Sequence, residues 1–296
     1  MKMDRRTLLV SGAAAGAGLA ASSRLSAATS PLKGKGKPQL KISSQEGIIP
    51  GKDLPEKLAN MEQWGFDGIE IGGGGLAGRV SEIQKALANS KIKLSAICAG
   101  FQGVPISHDA AERKKAADTM KEILTAAGEL GAVGLIFVPA FNGQTNLSWI
   151  DGRKVLLEWA PEVADHAQKC GTTLLMEPLN RGETWYLRQC ADAASIVRDA
   201  NHPGLRMMGD FYHMYIEETN DMGAFLSAGD YLRHVHLASI KRKLPGQDER
   251  DYTNGFAGLK MIGYQDFCSF ECGVLGEREV EIPKSVKFLR NQWKKA

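Results

Sequence analysis

Eight short apolar runs recur along this chain, separated by segments of a different rhythm, and no other feature restricts the fold as much. They are Leu40 to Ser44, Gly68 to Ile71, Lys93 to Ala99, Val133 to Pro139, Thr172 to Glu177, Leu205 to Asp210, Leu232 to Ala238 and Phe267 to Glu271. Most are nearly continuous in apolar residues instead of alternating, the mark of parallel strands buried on both faces. Helical periodicity fills the intervals at Leu54 to Trp64, Val80 to Asn89, Ala110 to Leu130, Val155 to Lys169, Ala191 to Ala200 and Met222 to Ala228, and again at Pro283 to Lys294 after the last run. The interval from Ser239 to Asp266 reads mostly as a long polar loop. Eight alternating units predict a single (β/α)8 TIM barrel, for which about 250 residues is typical.

The barrel is expected over residues 38–296, after a Lys/Gly/Pro linker at 29–37. Residues 1–28 read as an export signal: Lys2, Arg5 and Arg6 precede a weakly apolar run from Leu8 to Ala21, and Ser26-Ala27-Ala28 offers small residues for cleavage. "DRRTLLV" resembles the twin-arginine export motif, with a plain secretory signal as the alternative, and either predicts a periplasmic protein. The chain carries a formal +3, and residues 1–28 hold four basic residues against Asp4, so the remainder is close to neutral. A neutral surface lacks the basic footprint that nucleic acid requires, and no membrane contact is expected after export. The five cysteines are scattered without a CxxC pair. They read as core thiols and not as a disulfide framework, although a remote pair could bridge in an oxidising compartment.

"GIEIGGGGLAGR", residues 68–79, contains Gly73-x-Gly75-x-x-Gly78 between a strand and a helical pattern, the layout of a dinucleotide fingerprint. That motif needs a carboxylate at the end of the next strand, about 20 residues on. Here that strand ends Ile97-Cys98-Ala99-Gly100, so the glycines read as a βα loop at the barrel mouth.

In a barrel, active-site residues come from the C-terminal ends of the strands. "LLMEPLN" supplies Glu177 and Asn180, "MMGDFYHM" supplies Asp210 and His213, "HVHLAS" supplies His236, and "SFECG" supplies Glu271. Each follows an apolar run, where a carboxylate is costly unless paired or bound to metal. Glu177, Asp210, His236 and Glu271 therefore form a candidate metal set. Three oxygen donors and one imidazole favour Mn²⁺, Co²⁺ or Mg²⁺, with Zn²⁺ compatible.

This order of Glu, Asp, His and Glu, with "GFDGIEI" on the second strand, resembles the xylose-isomerase-like barrel superfamily and, within it, the ketose 3-epimerases of the tagatose and psicose type. The resemblance extends to spacings: Asn180 and Glu183 follow Glu177, His213 follows Asp210, and Arg242 follows His236 at the family's intervals. It implies a metal-dependent sugar isomerase or epimerase acting through an enediolate. Glu177 and Glu271 would be the acid/base pair, with Asn180, Glu183, His213 and Arg242 contacting the sugar. Glu70 is expected either to line the pocket with them or to pair with a nearby Lys or Arg.

The export signal and the long seventh interval leave room for a larger substrate, such as a 3-keto glycoside, on which the same groups could drive β-elimination. Two other readings are a periplasmic sugar-binding protein without turnover and an endonuclease IV type of nuclease. The nuclease needs further histidines at strand ends where this chain has Glu70 and Cys98. His234 is expected on the same face as His236, one layer deeper, while His108, His166 and His202 read as solvated. Trp185 and Tyr186 read either as a platform for a sugar face or as loop packing. A small carbohydrate is the expected partner, and a homo-oligomer is left open.

Overall fold

The computed structural model describes residues 37–296; the export-signal reading and all but the last residue of the linker lie outside them. Eight parallel strands close in sequence order into a barrel: β1 (Lys41–Gln45), β2 (Gly68–Gly72), β3 (Lys93–Cys98), β4 (Gly134–Phe137), β5 (Thr173–Met176), β6 (Leu205–Asp210), β7 (Leu232–Leu237) and β8 (Phe267–Phe270). The helices between them are α1 (Leu54–Trp64), α2 (Leu76–Ala88), α3 (Ala110–Glu129), α4 (Trp149–Lys169), α5 (Cys190–Ala200), α6 (Phe211–Glu217), α7 (Asp221–Ala228) and α8 (Thr253–Met261), and α9 (Arg278–Lys295) follows β8. The (β/α)8 barrel expected from the apolar runs is the fold observed.

The interval expected to be a polar loop contains α8. Its sequence, TNGFAGLKM, hides a helix because Gly255 and Gly258 are poor helix formers. Packing explains both: a Cβ on Gly255 would lie 2.5 Å from the Phe211 ring, and one on Gly258 would lie 2.9 Å from the Met222 backbone. The glycines let α8 lie directly on the α6–α7 segment. In the glycine run after β2, a Cβ on Gly73 would lie 2.1 Å from the carbonyl oxygen of Ala99, so close approach of the β2 and β3 loops requires glycine there.

Two register shifts aim the inward residues. Between β2 and β3, Ile69 pairs with Leu94 and Ile71 with Ile97, so Glu70 faces both Ser95 and Ala96 across a bulge. Between β6 and β7, Met207 pairs with Leu232 but Met208 pairs with His234, leaving Arg233 as the extra residue. A one-residue slip exchanges the faces of a strand. The second bulge thereby keeps Leu232, Val235 and Leu237 in the core under the helices while His234 and His236 point inward. The lumen is divided as a result. Ala96, Ile136, Leu175 and Met208 form an apolar cluster, while Ser43, Glu70, His234, His236 and Ser269 form a polar group, all fully buried.

Candidate active site

Glu177, Asp210, His236 and Glu271 each offer one ligand atom at the barrel mouth, and the four atoms lie within 4.8 Å of one another. The backbone makes them converge. His236 pairs laterally with Asp210 on one side and Ser269 on the other, so the three positions share a face, and Glu271 lies two residues beyond Ser269 on that face. His236 Nδ1 stands 3.0 Å from Glu271 Oε2 and 3.5 Å from Glu177 Oε1. Both His236 Nδ1 and Glu177 Oε1 are buried without a hydrogen-bond partner.

The other face of the His236 ring explains that open nitrogen. Nε2 lies 3.1 and 3.2 Å from the two oxygens of Glu70, and His234 Nε2 lies 2.7 Å from Glu70 Oε2. With Glu70 ionised, both rings donate to it through Nε2–H. His236 Nδ1 is then turned toward two carboxylates, and although burial opposes a charge on the ring, Glu70, Glu271 and Glu177 outweigh it and raise its pKa well above the usual histidine range, so that without a cation Nδ1 holds a proton. A divalent cation among these anions can take the place of that proton, and oxygen or nitrogen ligands about 2.0–2.2 Å from one ion span a cluster of this size. The donor set thus fits a divalent cation.

Burial opposes the charge on Glu70, but the fields and N–H bonds of His236 and His234 outweigh it and hold its pKa below the usual carboxylate range. Glu271 is likewise disfavoured by burial, yet His236 and Arg242 pull its pKa down to about 2. Burial prevails at Glu177 and raises its pKa. The two carboxylates are thus pushed in opposite directions by their surroundings.

Arg242, in a loop that sequence alone could not orient, reaches the site. Its Nη2 is 2.5 Å from Glu271 Oε2, its Nη1 is 3.4 Å from Asp210 Oδ2, and the guanidinium lies over the Tyr212 ring at 4.7 Å. Its φ of 53° is unfavourable for a non-glycine residue, at a cost on the order of 1–3 kcal/mol. Two backbone bonds of 2.9 Å, from its amide to Ser239 and from the Gly273 amide to its carbonyl, keep it there. His213 Nδ1 accepts the Asn180 backbone N–H at 3.1 Å, and its Nε2 stands 3.2 Å from Arg242 Nη1 and 3.5 Å from Asp210 Oδ2. Asn180 Nδ2 also donates to Glu183 Oε1 at 2.9 Å, and the Glu183 side chain stands at the rim, 41% exposed.

The structure narrows three expectations. Glu70 meets no Lys or Arg: it is fully buried with His234, His236 and Gln45 as donors, and it lies at the floor of an open pocket of about 450 Å³ that Gln45 and Cys98 also line. Tyr186 is no sugar platform, being 2% exposed and packed against Trp185 and Trp149. Of the five free cysteines only Cys190 and Cys268 are buried, whereas Cys98, Cys170 and Cys272 are half-buried. Gln45 was missed because a neutral residue at a strand end gives no signal in sequence. A pocket of about 160 Å³ beside Glu177, bounded by Phe101, Val138 and Phe141, was missed for the same reason.

The profile of the xylose isomerase-like TIM barrel family matches residues 58–292. The chain belongs to that family. Among curated members, 3-dehydro-D-guloside 4-epimerase of Escherichia coli strain K12 is 29% identical over 247 residues, covering 80% of this chain and 94% of its own. L-ribulose 3-epimerase of Mesorhizobium japonicum is 26% identical over 255 residues, covering 81% and 82%. The crystal structure of 3-keto-D-glucoside 4-epimerase from E. coli has a TM-score of 0.79 at 27% identity, covering 86% of this chain and 100% of its own. D-psicose 3-epimerase from Clostridium cellulolyticum shares the fold, with a TM-score of 0.78 at 21% identity over 86% of this chain and 99% of its own. Among the described residues no helix is long and apolar enough to cross a membrane.

Proposed function

We propose that this chain is a divalent-metal-dependent epimerase of a keto sugar, with Glu177 and Glu271 as its acid/base pair. The relatives that align over 80–81% of the chain are sugar epimerases, which makes isomerase the enzyme class. The observation that carries the mechanism is the convergence of Glu177, Asp210, His236 and Glu271 around an imidazole nitrogen with no partner of its own. A cation held there, of the Mn²⁺, Co²⁺ or Mg²⁺ type, would polarise a carbonyl and an adjacent hydroxyl of the sugar and so acidify the C–H bond between them.

This chain's own residues do the rest. Glu177 and Glu271 reach the site from β5 and β8 and flank a sugar lying over the barrel mouth. One takes the proton from one face of the carbon, giving the enediolate, and the other returns a proton to the opposite face. Arg242 is the donor for a sugar oxygen that becomes anionic, with His213 beside it as a further sugar contact, and Asn180 fixes the orientation of the His213 ring. Glu183 at the rim accepts from a peripheral hydroxyl. The Arg5-Arg6 pair and apolar run in residues 1–28 support a periplasmic site of action.

Solvent deuterium incorporation tests the reading. The protein, loaded with Mn²⁺, is incubated in D₂O with free ketoses and 3-keto glycosides, with Glu271→Gln as the control. Label beside the carbonyl together with inversion, both lost in the variant, is the expected result. Release of a leaving group in place of inversion would move the activity to β-elimination. A protein with stoichiometric metal that labels no compound would sink this epimerase reading and point to a binding protein or to a substrate outside the panel.

A further inference from the structure

Gln45 is the last residue of β1, and its two neighbours in the sheet define its surroundings. It pairs with Glu70 of β2. On the other side β1 runs beside β8 with Ser43 opposite Ser269 and Ser44 opposite Phe270, so the next step sets Gln45 beside Glu271. Its side-chain amide joins the two carboxylates: Nε2 lies 3.0 Å from Glu70 Oε1 and 3.0 Å from Glu271 Oε1. An amide NH₂ has two hydrogens, and each carboxylate takes one. The reversed amide would turn its oxygen on two carboxylates, so the chemistry of the neighbours fixes the orientation.

We propose that Gln45 is a positioning residue that fixes the carboxylate of Glu271 for proton transfer, an inference that rests on the epimerase reading. A carboxylate held by one oxygen can swing, whereas one held at both cannot. Gln45 takes Oε1 of Glu271 and leaves Oε2 facing His236 Nδ1 and Arg242. A neutral donor suits this place. A Lys or Arg would add a further cation to a site that already holds Arg242 and gathers ligands for a metal ion, and a Glu would add a negative charge between two others. Glu177 has no such tether, since its buried Oε1 has no hydrogen-bond partner. The two acid/base groups are thus supported unequally, and loss of Gln45 damages the proton transfers of Glu271 while sparing those of Glu177.

The test compares both epimers of a substrate in D₂O, by NMR, with the unaltered chain and Gln45→Met. Starting from the epimer whose proton Glu177 removes, exchange with retention persists while inversion falls by about 10²-fold, the size of loss that a misplaced catalytic group brings. From the other epimer, exchange and inversion fall together. Metal stoichiometry and melting temperature are measured alongside. If Gln45→Met does not retain both, Gln45→Asn decides, because it stays polar but is too short to reach both carboxylates. Equal losses of exchange from both epimers, or no loss of exchange or inversion from either, would overturn the inference while leaving the epimerase reading intact. Absence of exchange in the unaltered chain would remove both.

Discussion

The two halves of the barrel mouth are built from different chemistry. Strands β5 to β8 deliver Glu177, Asp210, His236 and Glu271, charged or imidazole groups gathered within 4.8 Å. Strands β1 to β4 deliver Gln45, Gly72, Cys98 and Val138, all neutral, and one carboxylate, Glu70, which is buried against His234 and His236 of the opposite half. The difference teaches how a barrel concentrates charge. Anions can share a buried site only if they share a cation, so they come from neighbouring strands, while the remaining strands shape the pocket and brace the ligands from behind.

The comparison yields an ordered set of expected effects. The largest falls on the charged half: Glu271→Gln should lower kcat by about 10²–10⁴-fold, the usual worth of a general acid or base, with bound metal retained. Steady-state kinetics and metal analysis check it. Next comes the one bracing carboxylate of the neutral half. Glu70→Gln should weaken cation binding by about 10–100-fold, because the Nε2 hydrogen bonds of His236 are no longer drawn to an anion, and calorimetric titration with Mn²⁺ reads this directly.

The same variant should alter the acid limb of stability. Glu70 has a depressed pKa in the folded chain, so its contribution is complete above the usual carboxylate range and is lost as pH falls through that range toward the folded value. Between about pH 7 and pH 3 the melting temperature of Glu70→Gln should therefore fall less steeply than that of the unaltered chain. Equal slopes would mean that the buried Glu70 does not carry its charge.

Smaller effects follow at the rim. Arg242→Lys replaces a planar fork that reaches Glu271 and Asp210 with a single point charge, and it should raise KM about tenfold with a modest change in kcat. The smallest effect is expected within the neutral half, where Cys98→Ser should leave cation affinity unchanged and move kcat/KM by less than about 1 kcal/mol in activation free energy. A loss at Cys98 as large as that at Glu271 would break the distinction between the halves.

Sequence and structure contributed unequally across these same two halves. The eight strands were legible because burial on both faces demands apolar runs, and the barrel followed because eight such units have few ways to close. Glu177, Asp210, His236 and Glu271 stood out because each is a polar group ending a run that has no other reason to hold one. What tertiary structure alone decided depends on register and on neutral groups. The bulge that turns His234 and His236 inward, the burial of Glu70 against them, the bridge made by Gln45 and the strained reach of Arg242 all arise between segments far apart in the chain. Periodicity records which face of one strand is buried. It carries no record of which neighbour stands opposite, and the direction of a hydrogen bond is settled only when that neighbour is in place.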